Sequence, residues 1–180
     1  ATILIKQAKS IKFLLSPYST VEEVYAAYKF CTANQASLHF KVTHHAYEGK
    51  SYAHSQLKNI ANVALFKKLG ATLWNNDGCD LLIMASTYLI ERPLAKKIIT
   101  LGFYSAGIST DVALITNSPL LNQGSFLTDA GTIAFLKSSV RSPTPTLREV
   151  ILTLAGLPMT LQDLRRDLAT MLPEFDVIGR

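Results

Sequence analysis

Apolar residues recur every three or four positions along much of the chain, which is the spacing of one face of an α-helix. The pattern begins at once, because residues 2–16 place four apolar side chains on one stripe: Leu4, Ala8, Ile11 and Leu15. Pro17 follows and cannot continue a helix. We therefore predict an N-terminal helix over residues 2–16.

Two helix starts carry an additional signal. Thr20 and Thr146 are each followed three residues later by a glutamate, Glu23 and Glu149. In such a capping box the threonine hydroxyl and the glutamate carboxylate each accept a hydrogen bond from a free backbone N–H. We predict a helix over residues 20–34 and another from 146 to about 156.

The same period predicts helices over 53–69, 79–92, 94–102, 128–140 and 160–172. The last of these, paired with the helix at 146–156, makes a predicted C-terminal helical hairpin, 146–172, suited to docking on a neighbour. Only residues 37–43 alternate in the manner of a strand, and 112–116 suit either state. The expected fold is mainly α, one domain over 1–180 with about seven to eight helices and at most a minor strand element.

Composition narrows the class of protein. The longest apolar run, 81–90, is too short to cross a bilayer. Cys31 and Cys79 match no disulfide framework or zinc spacing, which indicates an intracellular reducing compartment or a virion rather than a disulfide-rich secreted protein. Only 17% of residues are charged, and a surface poor in charge favours self-association.

The positive charge is concentrated in the first half of the chain. Residues 1–76 hold nine lysines and three acids, a net +6, and residues 77–180 hold nine basic and ten acidic residues, a net −1. A partner of negative charge would accordingly meet the first half.

Residues 39–68 combine lysines, histidines and aromatic residues with a single acid, Glu48. Lysines neutralise phosphates and aromatic rings stack on unpaired bases, so this mixture suits a nucleic-acid backbone. A solvated basic face with aromatic residues turned into the core remains the plainer alternative. The predicted contacts are Lys41, Lys50, Lys58, Lys67 and Lys68, with Tyr47 and Tyr52 as stacking groups.

Other chemistries fit the sequence less well. His44, His45 and His54 lack the spacing that brings metal ligands together on a helix. Gly49-Lys50-Ser51 resembles the end of a phosphate-binding loop, but His44 occupies the position of its first glycine. A nucleophile built from Cys79, His45 and Asp80 has nothing in the sequence to join it. No metal, cofactor or catalytic residue is therefore predicted.

These observations favour a self-associating protein of coat or nucleocapsid type that binds nucleic-acid backbone, RNA above all. A helical protein-interaction adaptor and an enzyme with a histidine-centred site remain alternatives. The basic N-terminal helix also suits an anionic membrane surface, although packing within the protein explains its apolar stripe more simply.

Overall fold

The computed structural model describes residues 1–41, 62–87, 89, 92–103, 108–118, 123–127, 132–136 and 142–179. Its helices are α1 (Thr2–Gln7), α2 (Val21–Asn34), α3 (Val63–Lys68), α4 (Leu147–Ala155), α5 (Leu161–Met171) and α6 (Asp176–Gly179), with a 3₁₀ turn at Pro173–Phe175. Its strands are β1 (Ile11–Leu15), β2 (Ser37–Phe40), β3 (Thr72–Leu73), β4 (Cys79–Ala85), β5 (Ala95–Gly102), β6 (Val112–Ile115), β7 (Gly124–Leu127) and β8 (Ile133–Leu136).

Six of the described strands form one sheet in the order β3-β2-β1-β4-β5-β6, and every pairing is parallel. Strands β7 and β8 form a separate antiparallel hairpin. The chain is thus an α/β protein, and the predicted mainly α fold is wrong. From β1 the chain builds outward to β3, then returns to place β4 on the other side of β1, so the strand order reverses between β1 and β4.

Strand β4 explains why the spacing of apolar residues predicted helices where the structure has strands. Its residues from Leu81 to Ala85 are all buried, because the sheet is covered on both faces. Strands of this kind have continuous apolar runs instead of alternating ones, and periodicity cannot separate them from a buried helix. The helices predicted at 79–92 and 94–102 are therefore wrong, since the described residues of these segments form β4 and β5.

Two further segments that were predicted as helices contain strands. The predicted helix 2–16 is helical only over α1 and then becomes β1, whose Phe13 and Leu14 are buried in different core clusters. The described part of 128–140 is strand β8 and not a helix. The two segments that the sequence allowed as strands, near 37–43 and 112–116, contain β2 and β6.

The predicted capping boxes are confirmed. Thr20 and Glu23 open α2, and Thr146 and Glu149 open α4, with both reciprocal hydrogen bonds present in each. The predicted helix 160–172 is also confirmed as α5, which Thr160 and Asp163 cap in the same manner. Of the predicted helix 53–69, the described part contains α3, and residues 53–61 lie outside the described residues.

Helix α2 lies at the centre of the main core. Its residues from Val21 to Ala27 are buried without interruption, because the sheet covers one side of the helix and α4, α5 and β7 contact the others. The buried carboxylates of this helix, Glu22 and Glu23, accept hydrogen bonds. Leu164 and Leu168 of α5, within the hairpin predicted to dock on a neighbour, are fully buried in this core.

Candidate ligand site at the carboxyl ends of β1, β4 and β5

Three neighbouring strands, β1, β4 and β5, end at a cavity of about 240 Å³. The β1–α2 turn, the residues directly after β4 and the last residues of β5 line it. Five lining residues carry aliphatic hydroxyl groups: Ser16, Ser19, Ser86, Thr87 and Thr100. In open parallel sheets ligands bind outside the carboxyl ends of the strands, where the strand order reverses. We call this cavity the crevice.

The β1–α2 turn forms the first wall of the crevice. Ser16 Oγ accepts a hydrogen bond from the Tyr18 backbone N–H at 3.2 Å, and the Ser19 N–H donates to the Ser16 carbonyl at 3.2 Å. The buried Asn62 side chain fixes the turn from outside by donating to the Pro17 and Ser19 carbonyls. The turn thereby has a defined shape before α2 begins.

Ser19 contributes an unusual buried hydroxyl. The residue is only 4% exposed, and its Oγ has no hydrogen-bond partner among the described residues. Leaving a buried polar group unpaired costs about 1–3 kcal/mol, so such groups are uncommon in folded proteins. Ser19 is one of the residues that line the crevice.

Ser86 turns the chain sharply at the end of β4. Its φ of 48° lies in the left-handed region, which residues with a side chain enter at a cost of about 1–2 kcal/mol. The Ser86 N–H donates to the Leu101 carbonyl at 3.0 Å, so the strained residue is tied to β5. Strained residues of this kind concentrate at functional sites.

Glu23 is the carboxylate of the crevice. Its Oε2 accepts the Thr20 N–H at 2.8 Å within the capping box, and the side chain is buried. Burial raises the pKa of the Glu23 carboxyl above its ordinary value, and the hydrogen bonds from Thr20 and the charge of Arg148 oppose that rise only in part. Glu23 consequently keeps its proton to a higher pH than an exposed glutamate.

The preceding residue, Glu22, belongs to a different structure. One oxygen, Oε1, accepts hydrogen bonds from Arg165 Nε at 2.8 Å and Ser125 Oγ at 2.7 Å, and Arg165 Nη2 lies 2.7 Å from it. The other oxygen accepts the Ser125 N–H at 2.8 Å. We call Glu22, Ser125 and Arg165 the Glu22 anchor, because they join α2 to the hairpin and to α5.

None of the predicted nucleic-acid contacts within the described residues lines the crevice. Lys41 directly follows β2, and Lys67 and Lys68 are exposed in the last turn of α3. Lys68 forms an ion pair with Glu174. Lys50, Lys58, Tyr47 and Tyr52 lie outside the described residues, so the predicted surface as a whole stays a prediction.

Of the residues weighed for metal binding or catalysis, the two that are described lie away from the crevice. Cys79 and Asp80 begin β4, at the opposite edge of the sheet, and Asp80 pairs with Lys96 at 2.7 Å. His44, His45 and His54 lie outside the described residues. Across the described residues no group of three histidine, cysteine or acidic side chains is placed to hold a metal ion.

The sequence did contain a signal for the crevice that our prediction missed. Short runs of small polar residues follow the apolar segments that became β1 and β4: Ser16, Ser19 and Thr20 after the first, and Ser86 with Thr87 after the second. Taken as strand ends, these runs point to one edge of a parallel sheet. If the preceding segments are taken as helices, these runs indicate only helix caps and loops.

The chain matches neither a known protein-family model nor a curated protein sequence. Fold and site together define an α/β protein with a hydroxyl-lined crevice at a reversal of strand order. No helix within the described residues has the length and apolar character that crossing a membrane requires. Cys31 and Cys79 are both free thiols.

Proposed function

We propose that this protein binds a small molecule in the crevice. The observation that carries the proposal is a hydroxyl-lined cavity at the reversal of strand order, and one of its lining residues, Ser19, has a buried Oγ with no partner among the described residues. Two further features support it. Ser86 holds a strained backbone at the same cavity, and Glu23 is a carboxyl group with a raised pKa there.

Binding fits the crevice better than catalysis does. The described residues that line it include no histidine, cysteine or lysine, so Ser86 has no usual general base beside it. Glu23 already uses one carboxylate oxygen to cap α2. A receptor or sensor of a small molecule requires only the shape and the hydrogen bonds that are present.

The proposal is tested by a fragment screen observed in amide NMR spectra of the full chain. Fragments should shift the amide signals of Ser19, Ser86 and Thr100. Thr87→Trp should abolish these shifts by filling the cavity, whereas Thr153→Trp, on an exposed position of α4, should leave them unchanged. A folded protein whose crevice amides no fragment perturbs, or whose shifts survive Thr87→Trp, would refute small-molecule binding here.

We also propose, as a second candidate, that the chain binds nucleic-acid backbone through its basic half. The exposed Lys67 and the +6 charge of residues 1–76 support this proposal. Changing Lys50, Lys58, Lys67 and Lys68 to Gln should weaken binding to single-stranded RNA. It should also flatten the log–log salt dependence by up to about 0.7 per lost contact.

The control for that experiment must avoid structural arginines. Arg148 and Arg165 are largely buried, so their loss would disturb the fold. Exposed cations of the second half are the suitable match: Arg92, Lys96, Lys97 and Arg166, also changed to Gln. An unchanged affinity and salt slope in the folded lysine variant would remove the nucleic-acid proposal and leave the adaptor alternative.

Self-association, the other part of the predicted coat-like function, has a candidate surface at the β6 edge of the sheet. Ile115 in β6 is 58% exposed. Ile115→Lys should shift sedimentation toward the monomer, and Val177→Lys, at a similarly exposed apolar residue of α6, should not. A wild-type chain that sediments as a monomer at all concentrations would end this proposal.

The free thiols fit the proposed reducing compartment.

A further inference from the structure

We infer that the crevice takes an uncharged, polyhydroxylated ligand of the size of a monosaccharide or cyclic polyol; the inference rests on the small-molecule binding proposed above. Its basis is the chemistry of the lining. Five serine or threonine residues and one capping carboxyl line a cavity of about 240 Å³. That volume is below the roughly 300–1,000 Å³ of sites for drug-sized molecules, so the ligand is small.

The hydroxyl groups favour a ligand that both donates and accepts hydrogen bonds. Ser19 Oγ is buried with no partner among the described residues, and Thr100 in the same lining is only 6% exposed. A serine or threonine hydroxyl offers one donor and two acceptor positions. A ligand hydroxyl has the same inventory and satisfies such a group in either direction.

The charge of the lining disfavours ionic ligands. Among the described lining residues there is no lysine, arginine or histidine, so a phosphate or carboxylate group would enter without a cation to pair with it. The buried carboxyl of Glu23 would repel an anion when ionised. Its Oε2 already accepts the Thr20 N–H of the capping box, so the carboxyl is not a free counter-ion for an ammonium group.

Two aromatic residues suit the remaining surface of such a ligand. Tyr18 and Phe103 line the crevice and are 57% and 54% exposed. A sugar or cyclic polyol presents hydroxyl groups at its rim and C–H groups on its faces, which matches hydroxyl-bearing residues and aromatic rings in one cavity.

The test compares one ring in three charge states. D-Glucose, D-glucosamine and D-glucuronate share a pyranose ring and differ in charge, and D-ribose and myo-inositol extend the neutral set. Titrations of the full chain followed by amide NMR should show saturable shifts at Ser19 and Thr100 for at least one neutral compound. That neutral compound should bind at least tenfold more tightly than glucosamine or glucuronate.

A matched pair of variants connects binding to the unpaired hydroxyl. Ser19→Ala should weaken binding of the neutral compound roughly three- to tenfold, the effect of one hydrogen bond, and Thr153→Ala should not change it. Equal or tighter binding of glucosamine or glucuronate would overturn the inference. So would neutral binding that is indifferent to Ser19→Ala.

The failure of this inference is distinguishable from the failure of the proposed function. If none of the neutral compounds binds while other fragments shift the crevice amides and lose that effect in Thr87→Trp, the ligand class is wrong and the site stands. If no fragment occupies the crevice at all, both fail.

Discussion

Glu22 and Glu23 are consecutive, and both are buried at the start of α2, yet they serve two different regions. Glu22 lies in the anchor, where the Arg165 guanidinium and Ser125 satisfy both oxygens of its carboxylate. Glu23 faces the crevice, caps its own helix and has a raised pKa. Both carboxyls are buried; Arg165 pairs with Glu22 at 2.7 Å, and at Glu23 the effect of burial outweighs the opposing charge of Arg148.

Polar groups are buried differently in the Glu22 anchor and at the crevice. In the anchor, ions are compensated by opposite charge and hydrogen bonds, which is the condition for keeping a charge away from water. In the crevice, Ser19 Oγ is buried with no partner among the described residues, and burial raises the pKa of the Glu23 carboxyl. Substitutions in the two regions should accordingly differ in size and in sign.

The largest effect is expected from breaking the anchor. Glu22→Gln leaves the Arg165 guanidinium without its carboxylate and should lower the free energy of unfolding by about 3 kcal/mol. Urea denaturation followed by circular dichroism measures this. Glu174→Gln, which removes the exposed partner of Lys68, should leave the urea midpoint nearly unchanged. Equal losses in the two variants would contradict the structural role of the anchor.

A smaller loss is expected where the hairpin meets α2. In Gly124→Ala the new Cβ would lie 2.6 Å from Thr20 Cγ2, which is closer than real contacts allow. The variant should lose about 1–3 kcal/mol of unfolding free energy. Adding Thr20→Ser removes Cγ2 and keeps the capping hydroxyl, so the double variant should recover part of the loss in the same urea titration. No recovery would place the strain elsewhere.

Glu23→Gln should have a modest effect that depends on pH. Because the folded-state pKa of Glu23 is raised, the folded protein binds a proton more tightly than the unfolded chain. Its contribution to stability is then full below the unfolded value of about 4.5 and is lost as pH rises through the folded value. The amide keeps the capping geometry but does not ionise.

Thermal unfolding across a pH series checks this difference. Glu23→Gln should gain stability relative to the wild type as pH rises above 4.5. Glu22→Gln should remain less stable than the wild type at neutral pH. A pH-independent difference for Glu23→Gln would mean that Glu23 has the same pKa in the folded and unfolded states.

The smallest expected effect has the opposite sign. Without ligand, Ser19→Ala removes a buried hydroxyl that has no partner among the described residues, and it should raise the unfolding temperature slightly or leave it unchanged. Ser125→Ala removes a hydroxyl that donates to Glu22 and should lower it. Differential scanning calorimetry separates the two, and a destabilised Ser19→Ala would show that the hydroxyl has a structural partner.

Local signals in the sequence were reliable where the chemistry itself is local. The capping boxes at Thr20 and Thr146 were predicted correctly because their hydrogen bonds join residues three positions apart. The central strands were missed because Leu81 to Ala85 form a continuous apolar run, and only pairing with β1 and β5 distinguishes it from a helix. Which strands pair cannot be deduced from the pattern of a single sequence.

The crevice was missed for the same reason. Ser19, Ser86 and Thr100 come from three strand ends, and no spacing rule joins them before the sheet order is known. The Glu22 anchor is equally non-local, since Ser125 follows it by 103 residues and Arg165 by 143. The sequence did indicate that α2 begins at Thr20, but not that its first two glutamates have separate roles.

Those separations also set an order of events during synthesis. Helix α2 leaves the ribosome long before the hairpin and α5 that cover it, and β1 must wait for β4 before its second neighbour exists. Parallel pairings of this range form slowly, and the apolar surface exposed meanwhile is prone to aggregation. Until Arg165 has been synthesised, the Glu22 carboxylate lacks the cation with which it pairs in the folded protein. A nascent or truncated chain therefore keeps this carboxylate hydrated and α2 incompletely packed.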